Sequence, residues 1–251
     1  HGRKPYPHVI LADGCSAEPD SDLGARLLVL NARRLLPRFI AAATDEAERR
    51  ACHWRLGRRI VRRAARQARE LGADSALDAT LLIAWCDGTT VYVHLYGDGC
   101  LAARRADGGV VAIQVEYAGN APYYLSYLLD RERLALYRVV AGNPLAAQSV
   151  SYVDETGTTT RLERFDAPLV FSFSLDTFPA VAVATDGLQS FVSASTSERL
   201  SVRDVAREML EFDRSQDCFV QRRLHELLLE YSKQLVFNLD DLGIGIFTRT
   251  E

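Results

Sequence analysis

The order in which the chain changes periodicity limits its fold more than any other feature. Apolar residues recur at helical spacing from Leu23 to Leu71, strand-like runs broken by Asp-Gly turns fill residues 80–184, and helical spacing returns between Val202 and Gln234 before a last apolar run over 242–248. A short apolar run, 9–12, precedes all of this. Helices segregated from a block of strands argue α+β layers and argue against a doubly wound parallel sheet, in which strands and helices alternate. No linker, repeat or low-complexity stretch divides the chain, so a single domain over 1–251 is expected.

Within that order, Asp22 is expected to cap a helix running to about Ile40, and Asp45, Glu46 and Glu48 suit the start of a second one. Residues 80–86 and 90–96 read as strands joined at Asp87-Gly88, and 101–105 and 110–117 as strands joined at Asp107-Gly108-Gly109. Residues 118–136 read as an irregular, tyrosine-rich insert; 134–140, 148–153 and 158–165 are expected strands. Residues 179–184 form a further apolar run, and two helices are expected over 202–212, capped by Ser201, and 218–234.

The formal net charge of −3 gives no general pull toward nucleic acid or an anionic membrane, and neither is an expected partner. The helix over 45–71 is an exception in local charge, carrying Arg49, Arg50, Arg55, Arg58, Arg59, Arg62, Arg63, Arg66 and Arg69. No aromatic residues interleave these arginines as base-stacking platforms would require, so they read as a solvated helix face partly paired with acidic neighbours. Five widely spaced cysteines without a C-x-x-C pair or zinc-ligand spacing fit reduced thiols, and no apolar run is long enough to span a bilayer. A cytoplasmic protein is therefore expected, and the near-exclusive use of arginine over lysine points to a bacterial source.

Three aspartates share one context. Asp13 and Asp186 each end an apolar run and precede glycine, and Asp240 stands just before the last run. Neighbouring strands would gather the three carboxylates at one sheet edge, where their mutual repulsion calls for divalent cations; hard oxygen donors favour Mg²⁺ or Mn²⁺ over zinc. The competing reading is that Asp-Gly is simply a turn dipeptide, as expected at Asp87-Gly88 and Asp107-Gly108. Other phosphate chemistries lack their signatures: no Gly-x-Ser-x-Gly elbow, no Gly-x-x-x-x-Gly-Lys loop, and no second aspartate two residues from Asp13. His8, His53, His94 and His225 are scattered without ligand spacing and read as ordinary core or surface residues.

Five segments, in order, resemble the motifs of metal-dependent protein phosphatases of the PPM, or protein phosphatase 2C-like, family. They are Leu11-Ala12-Asp13-Gly14, Asp78-Ala79-Thr80-Leu81, Tyr96-Gly97-Asp98-Gly99, Ala184-Thr185-Asp186-Gly187-Leu188 and Asp240-Asp241-Leu242-Gly243-Ile244-Gly245. The resemblance implies a four-layer αββα sandwich, two antiparallel sheets each covered by a helix pair. It further implies that Asp13 bridges two Mg²⁺ or Mn²⁺ ions, that the Gly14 carbonyl reaches the second, and that Asp186 and Asp240 complete the first. Asp98, with Asp186, would assist a third ion. The implied reaction is attack of a metal-activated water on phosphoserine or phosphothreonine in a protein substrate, with Asp13, Asp186 and Asp240 as the catalytic core.

The departures from the family pattern are specific. Cys15 stands where many members place a histidine, so water is expected to protonate the leaving group. Ser190 replaces an acid that assists a third metal in some members. Upstream of Asp13 stand Arg3 and no acid, so the first strand of the family is expected to be lacking and the second metal to bind weakly. The insert over 118–133 resembles the family's flap in position and is expected to border the site, with Tyr123, Tyr124 and Tyr127 as candidate substrate contacts or, on the competing reading, as packing within the loop. A second reading stands beside the enzyme: a catalytically weak or inactive domain of this family that binds a phosphoprotein or regulatory partner.

Overall fold

The computed structural model describes residues 6–43, 45–73, 76–212 and 218–249. Arg3, upstream of Asp13, lies outside the described residues. The elements run β1 (His8–Gly14), α1 (Ser21–Ala42), α2 (Glu46–Glu70), β2 (Ala79–Cys86), β3 (Thr90–Tyr96), β4 (Gly99–Arg104) and β5 (Val110–Tyr117). They continue with α3 (Arg131–Val140), β6 (Gln148–Asp154), β7 (Gly157–Glu163), β8 (Leu169–Ser174), β9 (Ala180–Ala184) and β10 (Phe191–Ser193). The last are α4 (Val202–Met209), α5 (Phe219–Lys233), β11 (Val236–Asn238) and β12 (Ile244–Thr248).

Two antiparallel sheets result, with strand orders β1-β2-β3-β8 and β12-β9-β4-β5-β6-β7. Alternation along the strands explains why they stack. Leu82, Ala84, Val93 and Leu95 of the first sheet meet Leu101, Ile113, Val115, Val181 and Val183 of the second in one core. Leu81, Ile83 and Trp85 point the other way, onto Leu28, Leu35, Ile60 and Val61 of α1 and α2. Cys100, Ala102 and Ala182 on the outer face of the second sheet receive Val205 and Met209 of α4 and Leu227 and Tyr231 of α5. Both faces of the central strands are covered, which is why β2 is buried at every position and reads as an unbroken apolar run. This is the expected αββα sandwich.

Several local expectations are corrected. Residues 134–140 form the helix α3, not a strand: Asp130 accepts hydrogen bonds from the amides of Glu132 and Arg133, and Tyr137 turns inward while Val139 and Val140 stay exposed. β8 and the paired strands β10 and β11 add strands where none was expected. The run at Val9–Ala12 is half-buried rather than buried, because β1 is an edge strand paired only with β2. Asp22 sits inside the first turn of α1, and the cap position is Asp20, without a side-chain cap bond. Asp87-Gly88 and Asp107-Gly108 are turns, the Asp87 carboxylate accepting from the amides of Thr89 and Thr90. No helix among the described residues is long and apolar enough to cross a membrane.

Candidate metal centre

The pairing of β1 with β2 sets the first part of the site. Asp13 lies opposite Thr80 and Gly14 opposite Ala79, and the Cys15 amide donates to the Asp78 carbonyl at 2.8 Å, so the chain leaves the strand end in a fixed direction. The β3–β4 turn brings in Asp98, whose carboxylate accepts from the Thr80 hydroxyl at 2.5 Å. Gly97 has φ +91°, and a Cβ there would stand 2.8 Å from the Thr80 hydroxyl, so the turn that delivers Asp98 requires glycine.

Asp186 opens a 3₁₀ turn immediately after β9. The loop carrying Asp240 and Asp241 is fastened to it by Thr185. The Thr185 amide donates to the Gly243 carbonyl at 2.9 Å, its hydroxyl donates to the Asp241 carbonyl at 3.1 Å, and the Gly243 amide donates back to that hydroxyl at 3.0 Å. The contact is close enough that a Cβ on Gly187 would stand 2.2 Å from the Asp241 carbonyl oxygen. Asn238 closes the other side, donating to the Gly187 carbonyl at 2.8 Å and to the Ser190 hydroxyl at 2.9 Å. Ser190, standing where an acid was of interest, itself donates to the Gly187 carbonyl at 2.8 Å.

These anchors bring carboxylates from four separate stretches of chain into mutual electrostatic reach. Burial, reinforced by Asp186, Asp240, Asp98 and Asp241 in that order, pushes the Asp13 carboxyl up to about 7. Burial, opposed by the Thr80 hydrogen bond and aided by Asp186, pushes Asp98 up to about 6. Asp186 is raised by burial and by Asp240, and lowered by a hydrogen bond from Asp13. A cation bound among these carboxylates would relieve their mutual repulsion. Among the described residues, no three His, Cys, Asp or Glu side chains already surround one point as metal ligands. The donor set, carboxylate oxygens, suits a hard divalent cation in its chemistry.

Beside Asp13 opens a cavity of about 480 Å³, lined by Asp13, Gly14, Thr185, Asp241 and Gly243 and on the α1 side by Asp22, Arg26 and Arg33. The two arginines are functional candidates that motif reading passes over, since nothing in the sequence marks them as facing Asp13. Thr80, Thr185 and Asn238 are likewise absent from the expected site, yet they hold its carboxylates in place.

The insert borders this edge but divides its tyrosines. Tyr124 hydrogen-bonds Cys15, and its phenol is raised by burial, then by Asp98 and Cys15. Tyr123 instead packs on Trp54, Tyr137 and Phe165, and Tyr127 stacks between Tyr123 and Tyr137. Arg133 of α3 pins the insert to the site, reaching the buried Asp78 carboxylate at 2.7 Å while Ser126 donates to its other oxygen at 2.5 Å.

No curated protein matches the chain by sequence. A crystal structure of a bacterial serine phosphatase superposes with a TM-score of 0.53 at 11% identity, covering 97% of this chain and 86% of that one, and shows a shared fold. Serine/threonine phosphatase Stp1 from Staphylococcus aureus gives 0.48 at 13% identity, covering 97% and 84%. The catalytic domain of the serine threonine protein phosphatase PstP, in complex with two manganese ions, gives 0.42 at 13% identity, covering 95% and 85%. The protein phosphatase 2C family profile matches residues 3–229, and with the sandwich and the ordered motifs in place, the chain belongs to the protein phosphatase 2C family.

Proposed function

We propose that this domain hydrolyses phosphoserine and phosphothreonine in proteins with the help of Mg²⁺ or Mn²⁺. The observation that carries the reading is the Asp13 carboxyl, raised to about 7 by burial and by four other carboxylates at one edge of the sandwich. Residues that repel one another at such cost in a bare protein form a site for cations.

In this reading Asp13, Asp186 and Asp240 would hold the first ion, Asp13 and the Gly14 carbonyl would contribute to a second, and Asp98 with Asp186 would serve a third. The ions, when bound, supply Lewis acidity to the phosphoryl group and acidity to a water. The chain's own residues do the rest. Thr80, Thr185 and Asn238 orient the carboxylates; Arg26 and Arg33 place positive charge in the cavity where a phosphoryl group enters. Tyr124 and Cys15 close the insert side, and with Cys15 engaged by Tyr124, solvent water protonates the departing alcohol.

The second reading, a domain that binds phosphoprotein without appreciable turnover, draws on the absence of a preassembled three-ligand group among the described residues and on Ser190, tied to Gly187. Hydrolysis of a small phosphate ester and of a phosphoserine peptide, with and without Mn²⁺, separates the two. Metal-dependent turnover lost in Asp186→Asn, with unfolding cooperativity kept, supports the enzyme. Phosphopeptide binding without turnover supports the binding domain.

A further inference from the structure

A cavity without any of the site aspartates lies in the groove between α1 and α2. It is about 630 Å³, floored by Leu35, Phe39 and Leu56 and rimmed by Arg38 of α1 and by Arg55, Arg59, Arg62, Arg63 and Arg66 of α2. The helices run antiparallel, Asn31 donating to Gln67 at 2.6 Å near one end, so the rim arginines of α2 fall on one face at spacings of three and four. Asp22 of α1 lines the cavity beside Asp13, and sixteen residues of helix separate Asp22 from Arg38, roughly 24 Å. The groove contains none of the carboxylates of the candidate metal centre, although Arg33, which lines the cavity beside Asp13, is only two residues from Leu35.

The arginines of α2 were expected to be partly paired with acidic neighbours; on the rim, Arg38, Arg59, Arg62, Arg63 and Arg66 have no ion-pair or hydrogen-bond partner among the described residues, and Arg55 donates to the Cys52 sulfur. α2 carries nine arginines against three glutamates in a chain whose net charge is −3, so positive charge is concentrated on this face while the remainder is acidic. Guanidinium groups held this close repel one another, and an anionic partner with forked acceptors relieves that repulsion.

We propose that this groove docks an acidic amphipathic segment of a partner protein, most simply one helix with carboxylates toward the arginine rim and apolar side chains on the floor. Three features select that occupant. All the rim arginines except the half-buried Arg63 are exposed, so the cleft is too open to enclose a small molecule. Phe39, its lone aromatic, already packs edge-on against Trp85 and His94, leaving no free ring for stacking a base. Leu35 and Leu56 are buried in the floor and cannot insert into a bilayer as a membrane-adsorbing helix requires. The α2 rim from Arg55 to Arg66 spans roughly 16 Å, which matches three turns of a docked helix.

The test uses a fluorescein-labelled helical peptide with glutamates on one face and leucines at i, i+3 and i+4 spacing. Binding to the 251-residue chain is followed by anisotropy at physiological ionic strength. A scrambled peptide of the same composition, a DNA duplex and phosphatidylserine vesicles serve as competitors. The helical peptide is expected to bind, and Arg59→Glu/Arg63→Glu to weaken it by roughly tenfold or more, through several exposed ion pairs lost together. Arg34→Glu, the same charge change outside the groove, should cost less than about twofold. Arg59→Gln/Arg63→Gln, which adds no repulsion, should weaken binding in the same direction and decides the matter if the reversal variant melts early. Small-ester hydrolysis should be unchanged in all of them, which keeps this result separate from the phosphatase reading. The proposal is overturned if the duplex or the vesicles bind more tightly than the peptide, if the scrambled peptide binds equally, if Arg34→Glu is as damaging as the groove variants, or if no peptide binds.

Discussion

Thr80 links two of the carboxylates: its Cα is the cross-strand partner of Asp13, and its hydroxyl donates to Asp98 at 2.5 Å. The hydroxyl is the hydrogen bond that opposes burial at Asp98. Thr80→Val keeps the shape and deletes that donor, leaving a buried acceptor unsatisfied, at about 1–3 kcal/mol. Urea denaturation without metal should show the loss, and Mn²⁺ titration should show weaker binding because Asp98 is no longer held. Unchanged stability and unchanged Mn²⁺ affinity would mean that Thr80 does not position Asp98.

The insert depends on one ion pair. The Asp78 side chain is 5% exposed and is served by Arg133 and Ser126. Arg133→Ala removes the charged partner and strands a buried carboxylate; because Arg133 is 40% exposed, solvent softens the penalty to about 1–3 kcal/mol. The local effect should exceed the global one. Amide exchange over 125–140 is expected to speed up well before the rest of the domain, and phosphopeptide turnover to fall more than small-ester turnover. Uniform acceleration across the whole chain would show that Arg133 stabilises the fold in general and not the insert.

What could be read from the sequence was what depends on neighbours along the chain. The runs before Asp13 and Asp186 announce strands because both sheets bury their faces, and Asp-Gly marks where each strand stops. The alternation Phe171-Ser172-Phe173-Ser174 was an equally local signal for β8, and the Asp130 cap was one for α3, where the β-branched pair Val139-Val140 weighed toward a strand. The anchoring of the site was not legible. Thr185 reaches Asp241 across 56 positions, and β10 pairs with β11 across a span that contains both α4 and α5. No periodicity encodes such pairs. The approach of Arg26 and Arg33 to Asp13 depends on how α1 seats on the sheet, which is equally non-local.

Acid should destabilise the domain through two core histidines. His53 and His94 stack, their Nδ1 atoms 3.0 Å apart, and both Nε2 atoms are buried without a partner. Burial lowers both, His53 aided by His94 and Arg50, and His94, helped by Arg49, to about 3. Their folded values lie below the ordinary 6.5, so the unfolded chain binds more protons at His94 between about 3 and 6.5, and at His53 over a window that opens below the same 6.5. Stability is therefore full above 6.5 and falls as the pH drops through those windows, by up to about 1.4 kcal/mol per pH unit for each histidine. His53→Leu/His94→Leu removes both titrations. The stability difference between wild type and the double variant, measured by denaturant at stepped pH, should shift in favour of the variant as pH falls from 6.5 to 4. A constant difference would show that the histidines are not buried neutral.

Of the proposed ions, the second would have the fewest ligands. The proposed first ion draws on Asp13, Asp186 and Asp240, whereas the second has Asp13, one carbonyl and whatever nearby carboxylate turns toward it. Asp98 and Asp241 are the two that act electrostatically on Asp13 and are not already assigned to the first. A Mg²⁺ or Mn²⁺ site with so few carboxylates relies on water and binds loosely. Calorimetric titration with Mn²⁺ is therefore expected to resolve one tighter and one weaker event, both removed by Asp13→Ala. Asp241→Asn should weaken only the second if the exposed loop supplies the missing ligand, and Asp98→Asn should do so if the β3–β4 turn supplies it. Two equally tight events that survive both substitutions would show that the second ion takes its ligands elsewhere in the chain.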